Sequence, residues 1–379
     1  MDLVVIFVLV LGCCYSYFIY PILISIFSGR RQKETKMSLG YSLPRITLLI
    51  TAHNEERRIG NKLSNSLCLD YPKDKLQIIV ASDASTDATN SIVDSYAAEG
   101  VALVKVEDHK GKENAQFHGI RASFGDIIVF SDVATVIEPD AMARLVRYFD
   151  DPQVGAVSSE DRFISTDGKV AGEGAYVKYE MWLRRMESQA AGLVGLSGSF
   201  FAARKDICLD DWDIYSPSDF NTALNCARKG IRAVTMPDVF GYYSDLADSS
   251  KEYQRKIRTI IRGMTAVARH AEVLNPFKYG FFAFQVFSHK VARWLVPWFM
   301  LFLFVASVIF IDSFWVAVIF AMQCAFYVLV LLAWIVPRLR SSALFKIPYF
   351  FVQVNLAIAH ASVLFLSGKR MYTWKPSKR

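Results

Sequence analysis

From residue 45 to residue 149, apolar runs of strand length alternate with stretches of helical length, and the runs repeatedly stop at polar residues. Residues 48–50 run into Thr51-Ala52-His53-Asn54-Glu55-Glu56, and 76–80 run into Ser82-Asp83-Ala84-Ser85-Thr86-Asp87, with strands predicted at 46–52 and 76–81. Residues 126–130 run into Ser131-Asp132-Val133-Ala134-Thr135. A further strand is predicted at 101–106, and helices at 56–66, 87–96, 112–122 and 140–149. Asn54 is placed to cap the first helix, and Asp87 the second. This alternation predicts right-handed crossovers and a mostly parallel α/β sheet with helices on both faces. Such a sheet binds its ligand at the carboxyl ends of its strands. Three acidic strand ends point to a nucleotide together with a cation.

Past residue 150 the pattern loosens. A strand is predicted at 154–159, then a helix at 175–191 with Tyr176, Tyr179, Trp182, Leu183 and Met186 on one broad face. A Gly/Ser-rich loop running into a strand follows at 192–203, then a helix at 218–229, a strand at 231–235 and a basic helix at 252–271.

The two ends follow a different rule. Residues 3–27 carry no charge and are long enough to span a bilayer as a helix. No basic residue precedes them and a basic stretch, 29–33, follows. A signal anchor is therefore expected, with the N-terminus outside and the middle of the chain in the cytoplasm. Residues 277–291 read as an interfacial helix. Residues 294–311 and 314–336 read as a helical hairpin joined by Asp312-Ser313. Residues 344–366 are a third candidate span, weakened by Pro348, Gln353, Asn355 and His360. Three full crossings would place the basic tail outside, against the same charge rule. The expected division is an anchor at 1–36, a cytoplasmic domain at 37–275 and a membrane region at 276–379, in a multi-pass protein of the inner (plasma) membrane.

Composition narrows the partners. The 379 residues are 53% hydrophobic, with the excess at the two ends, and the net charge is +7. Many basic residues flank apolar segments, so the expected partner is a lipid bilayer and not nucleic acid. The six cysteines show no metal-ligand spacing and read as reduced, small-hydrophobe residues.

Each candidate chemical residue has a plain alternative. Asp83 can accept a hydrogen bond from a uracil N–H or a ribose hydroxyl; equally, it can form an Asx turn. Lys112, after Gly111, opens a helix, where its charge opposes the dipole and calls for an anionic partner such as a diphosphate. An exposed cationic loop is the alternative. Asp132 can hold a divalent cation that neutralises a diphosphate leaving group, but the usual pair of aspartates flanking one residue is broken, because Ala134 stands in the second position. Asp219, at a helix start, can act as a carboxylate base toward an acceptor hydroxyl, or simply cap the helix. Arg255 and Arg258 share a helix face and can grip a diphosphate, or they form a solvated basic face.

Taken in order, Asn54-Glu55-Glu56, Asp83, Lys112, Asp132, Ser197-Gly198, Asp219 and Arg255-Arg258 resemble the motifs of a family. That family is the membrane-embedded, inverting family-two glycosyltransferases, which include poly-N-acetylglucosamine, chitin-oligosaccharide, hyaluronan and cellulose synthases. The resemblance covers about residues 45–271 and implies a GT-A fold flanked by transmembrane helices. It implies uridine contacts from Ala52, Glu55 and Asp83, a nucleotide-side lysine at Lys112, and nucleotide and Mg²⁺ or Mn²⁺ binding at Asp132. It further implies an acceptor loop at Ser197 and Gly198 and a catalytic base at Asp219. Residues 255–259 fall where the family has Gln-x-x-Arg-Trp, with Arg255 for the Gln and Thr259 for the Trp. Trp182 is a candidate for stacking on an acceptor sugar.

The expected function is transfer of a sugar from a UDP-sugar to a growing glycan or lipid-linked acceptor at the cytoplasmic membrane face, with accessory synthase subunits as candidate partners. The departures at Ala134, Arg255 and Thr259 keep two other readings open. One is single addition onto a polyprenyl-linked acceptor. The other is a nucleotide-binding pseudoenzyme subunit.

Overall fold

The computed structural model describes residues 2–28, 43–164, 175–244 and 249–371, and the chain divides into two units. One unit comprises residues 24–251 and 262–283 and holds the sheet; the other comprises residues 1–23, 252–261 and 284–370. The basic stretch at 29–33 and the tail beyond residue 371 lie outside the described residues.

Among the described residues, the sheet is built from eight strands. These are Ile46–Ala52 (β1), Leu76–Asp83 (β2), Val101–Val106 (β3), Ile127–Asp132 (β4), Val136–Ile137 (β5), Val154–Ile164 (β6), Phe200–Arg204 (β7) and Arg232–Ser244 (β8). Their spatial order is β3-β2-β1-β4-β7-β6-β8-β5. The first four are mutually parallel, as the alternation predicts. β1 is buried at all seven positions, as a central parallel strand covered on both faces should be. Its residues alternate between two core layers. Leu48 and Ile50 pack with Val80 and Val129, whereas Leu49 packs with Ile79 and Ile128.

Helices cover each layer. On the first lie Ile59–Leu67 (α1), Thr89–Ser95 (α2) and Ala141–Val146, represented by Ile59, Leu63, Val93, Met142 and Leu145. On the second lie Lys112–Ala122 (α3), Lys205–Leu209 and Ser218–Arg228 (α4), represented by Ala115, Ile120, Ile207 and Ala223. Completely burying one such aliphatic side chain contributes about 1.5–3 kcal/mol.

The second half of the sheet is mixed. β7 runs antiparallel to both β4 and β6, β6 is parallel to β8, and β5 is antiparallel to β8. This arrangement places the turn before β7 beside the carboxyl end of β4.

Two local expectations change. α1 starts at Ile59 and not at 56, so Asn54 does not cap it. Asn54 adopts a positive φ of 53°, and its side-chain oxygen accepts from the backbone N–H of Thr86 at 2.8 Å, tying the ends of β1 and β2 together. Asp87 does bond the start of α2, accepting from the Thr89 N–H at 2.9 Å.

Among the described residues, four helices are long and apolar enough to cross a membrane: Asp2–Ser28, Phe281–Ile309, Phe314–Ile335 and Ala343–Leu366. The helix boundary expected near residue 292 falls instead at Gly280, whose φ of 53° separates Pro276–Tyr279 from one continuous helix beginning at Phe281. Within the second unit Ile6, Leu303 and Val316 form an apolar cluster. Its polar groups pair across helices: the Ser16 hydroxyl donates to the Ser288 carbonyl at 3.0 Å, and the Gln323 amide donates to Ser307 at 2.9 Å. Such pairing is what an apolar surrounding requires of polar side chains.

Candidate active site

The strand order 3-2-1-4 makes the crevice beyond the carboxyl ends of β1 and β4 the switch point of the sheet. Register aligns Ala52 with Ser82 and Thr51 with Asp132, so the polar strand ends converge there.

Asp83 ends β2 with 1% of its surface exposed. Its carboxylate accepts from the backbone N–H groups of Lys110, at 3.2 Å, and Gly111, at 3.0 Å. His109 approaches the same carboxylate through Nδ1 at 2.8 Å. His53 Nδ1–H donates to the Asp83 carbonyl at 2.5 Å, and the two imidazoles stack at 4.1 Å. Asp83 thus fastens the loop between β3 and α3. Gly111 meets that loop's needs with a φ of 103°, a region closed to most side chains.

The loop delivers Lys112, the first residue of α3, whose ammonium donates to Asp132 Oδ1 at 2.5 Å and to the Gly198 carbonyl at 2.8 Å. Burial pulls the pKa of this lysine down, but Asp132, with Glu113 and Asp219 nearby, holds it above the ordinary lysine value. Gly198 links this pair to Asp219, because a Cβ on Gly198 would stand 3.9 Å from Asp219 Oδ2. Asp219 lies in the first turn of α4, and its backbone carbonyl accepts from Leu196 N–H at 3.2 Å. Hydrogen bonds therefore join Lys112, Asp132 and Gly198 beside the loop that Asp83 holds, and Asp219 stands next to Gly198.

The remaining sequence candidates sit as follows. Ala52 is fully buried. Glu55 is buried too, with its carboxylate gripped by Arg58 through two hydrogen bonds of 2.7 and 2.8 Å. Ser197 donates to Asp161 at 2.6 Å. Trp182 is 40% exposed, in the helix Ala175–Ala190, with its ring 6.4 Å from that of Tyr179. Arg255 and Arg258 belong to the helix Ser249–Arg269, in the stretch counted with the membrane unit.

Sequence reasoning missed four charged groups, Lys62 and Glu113 buried, Asp161 and Arg262 partly so. Lys62, on α1, donates to the Ser131 hydroxyl at 2.7 Å and the Thr135 carbonyl at 2.6 Å, bracketing the turn that presents Asp132. Burial pulls its pKa down to about 7, against the attraction of Asp132. Glu113 and Arg262 pair at 2.6 Å, and Asp219 adds to the field that keeps Arg262 charged. Asp161 accepts from Ser197 and Ser199, and its burial pushes its carboxyl pKa up.

Two groupings bear on a metal. Asp132, the expected ligand, has an ammonium on one oxygen, and the position two residues on is Ala134. The donor set of a divalent clamp is therefore not assembled there. His53, Asp83 and His109 do offer ligand atoms within 4.8 Å of one another.

Comparison with known proteins bears on the family and the fold. The family described as "Glycosyltransferase like family 2" matches residues 44–272. The chain is 28% identical over 211 residues to poly-beta-1,6-N-acetyl-D-glucosamine synthase of Staphylococcus aureus (strain COL), covering 54% of this chain and 49% of that protein. The synthase of Staphylococcus epidermidis is 29% identical over 175 residues, covering 44% of this chain and 42% of that protein. The chain thus spans about half the length of these curated relatives. Among solved structures, the mannosyltransferase PcManGT of Pyrobaculum calidifontis, determined with GDP-Man and Mn²⁺, matches with a TM-score of 0.72 at 23% identity, covering 98% of this chain and 100% of that one.

Proposed function

The chain belongs to glycosyltransferase family 2, and on that premise we propose that it is an inverting transferase taking its sugar from a UDP-sugar. The acceptor in this reading is a growing glycan or a lipid-linked saccharide, met at the cytoplasmic face of the membrane. The observation that carries it is the seating of Gly198 between Lys112 and Asp219, which brings a cationic donor side and a carboxylate within one residue's width.

The uridine lies along the ends of β1 and β2, beside Ala52 and Asp83, with Glu55 holding that edge through Arg58. The diphosphate faces Lys112, and the acceptor enters over Ser197 and Gly198, where the absence of a side chain leaves room beside Asp219. Asp219 takes the proton of the acceptor hydroxyl as its oxygen attacks the anomeric carbon, and the bond to the diphosphate breaks on the opposite side. Trp182 offers a ring face to the acceptor sugar. Because the residues around Asp132 do not fit a divalent clamp, no step is routed through a metal there.

The degenerate Arg255–Thr259 stretch favours a second reading, in which one sugar is added per acceptor and no long chain is made. Accessory synthase subunits belong to the polymerising reading.

The test is release of UDP by the full-length protein in liposomes, across a panel of UDP-sugars, with mass analysis of the product. Asp219→Asn is expected to lower kcat about 10²–10⁴-fold while UDP affinity holds. Unchanged turnover in this variant would reject the base.

A further inference from the structure

We propose that the Lys112 ammonium, seated on Asp132 and the Gly198 carbonyl, takes the place of the divalent cation in balancing the departing nucleoside diphosphate. The inference rests on the transferase reading above and deepens it. A clamp needs a second carboxylate beside Asp132, and this chain supplies Ala134. What occupies the first carboxylate is a lysine side chain only 12% exposed, 2.5 Å from Oδ1. An ammonium has three donors; Asp132 and Gly198 take two, and the third is left for a phosphate oxygen.

The opposite side of the same turn also carries an amino group. Lys62 reaches it through Ser131 and Thr135, so amino groups hold the turn that presents Asp132 from both sides, while Ala134 fills the position of the second aspartate. The convergent trio His53, Asp83 and His109 lies instead around the end of β2. In the step itself, the acceptor proton passes to Asp219 and the acceptor oxygen bonds the anomeric carbon. The bond from that carbon to the diphosphate oxygen breaks, and the diphosphate keeps the electron pair. The charge that develops meets Lys112, already in place, with no ion to recruit.

The experiment compares turnover of the full-length protein in liposomes with EDTA and with Mn²⁺. Equal turnover is expected, whereas Lys112→Met lowers it about 100-fold in both conditions, with its circular dichroism checked against the parent. Turnover lost in EDTA and restored by Mn²⁺ would overturn the proposal. A second measurement needs no catalysis: Mn²⁺ binding followed by electron paramagnetic resonance in the presence of UDP. Asp132→Asn is expected to leave that binding unchanged, and the double variant Lys112→Ala with Ala134→Asp to gain a site. A site in the parent protein that Asp132→Asn removes would overturn the proposal. If no donor is turned over under any condition, the transferase reading fails, and the Mn²⁺ comparison still decides this one.

Discussion

Lys62 is held tightly behind the turn that presents Asp132. Its amino group is buried and, among the described residues, hydrogen-bonds a hydroxyl and a carbonyl instead of a carboxylate. With its folded pKa near 7, below the 10.5 of a free lysine, the unfolded chain binds more protons than the folded one between those values. Stability from this residue therefore rises with pH across about pH 7 to 10 and is lowest at pH 7 and below, a swing on the order of 5 kcal/mol. Lys62→Met should abolish that rise, read as a melting temperature that no longer climbs with pH relative to the parent. A parent protein with no such climb would show that the amino group is not held uncharged. The residue was legible in outline. Ile59, Lys62, Leu63 and Ser66 recur at helical spacing on the buried side of α1, so a lysine stands where an apolar residue is the rule. Glu113 and Arg262 gave no such sign, since each becomes meaningful only through a partner 149 positions away.

At the scale of elements, the parallel half of the sheet was readable because each strand there is a continuous apolar run ending in polar residues. The mixed half was readable only in part: β6, β7 and the start of β8 fall on expected strands, but β5 has two residues, and β8 runs on to Ser244 past a register irregularity opposite Ser159 and Glu160 that breaks its periodic trace. β4 depends on a close approach at its start, where Gly125 lies against β1. A Cβ there would stand 2.5 Å from the Thr47 nitrogen and 2.6 Å from the Ile46 carbonyl carbon, both backbone atoms that cannot swing aside. Gly125→Ala should therefore destabilise the sheet by about 1–3 kcal/mol, measured by thermal unfolding of the full chain in detergent. Because Asp132 ends the same strand, turnover should fall with it. An unchanged melting temperature would mean that the two strands can separate without loss.

For the whole molecule, membrane residence rests on four helices of 22 to 29 residues with mean hydropathy of 1.7 to 2.5. The sequence fully disclosed their apolar character, but not that the second of them begins as far back as Phe281, because Lys278, His289 and Lys290 disguise the junction. Sidedness can be tested with Cys68, which is exposed on the sheet-bearing unit, while Cys208 and Cys226 are buried. With the catalytic unit in the cytoplasm, a membrane-impermeant maleimide should label Cys68 only after cells are permeabilised. Labelling in intact cells would reverse the assignment.

One aromatic contact has a practical reach. The indole N–H of Trp212 donates to the backbone oxygen of Glu113 at 2.9 Å, next to Lys112, while its ring stacks at 5.5 Å on Phe130, two residues before Asp132. A native chromophore is thus wired to both partners of the central ion pair. Ligand arrival that disturbs either one alters its emission, so occupancy can be followed optically without attaching a dye.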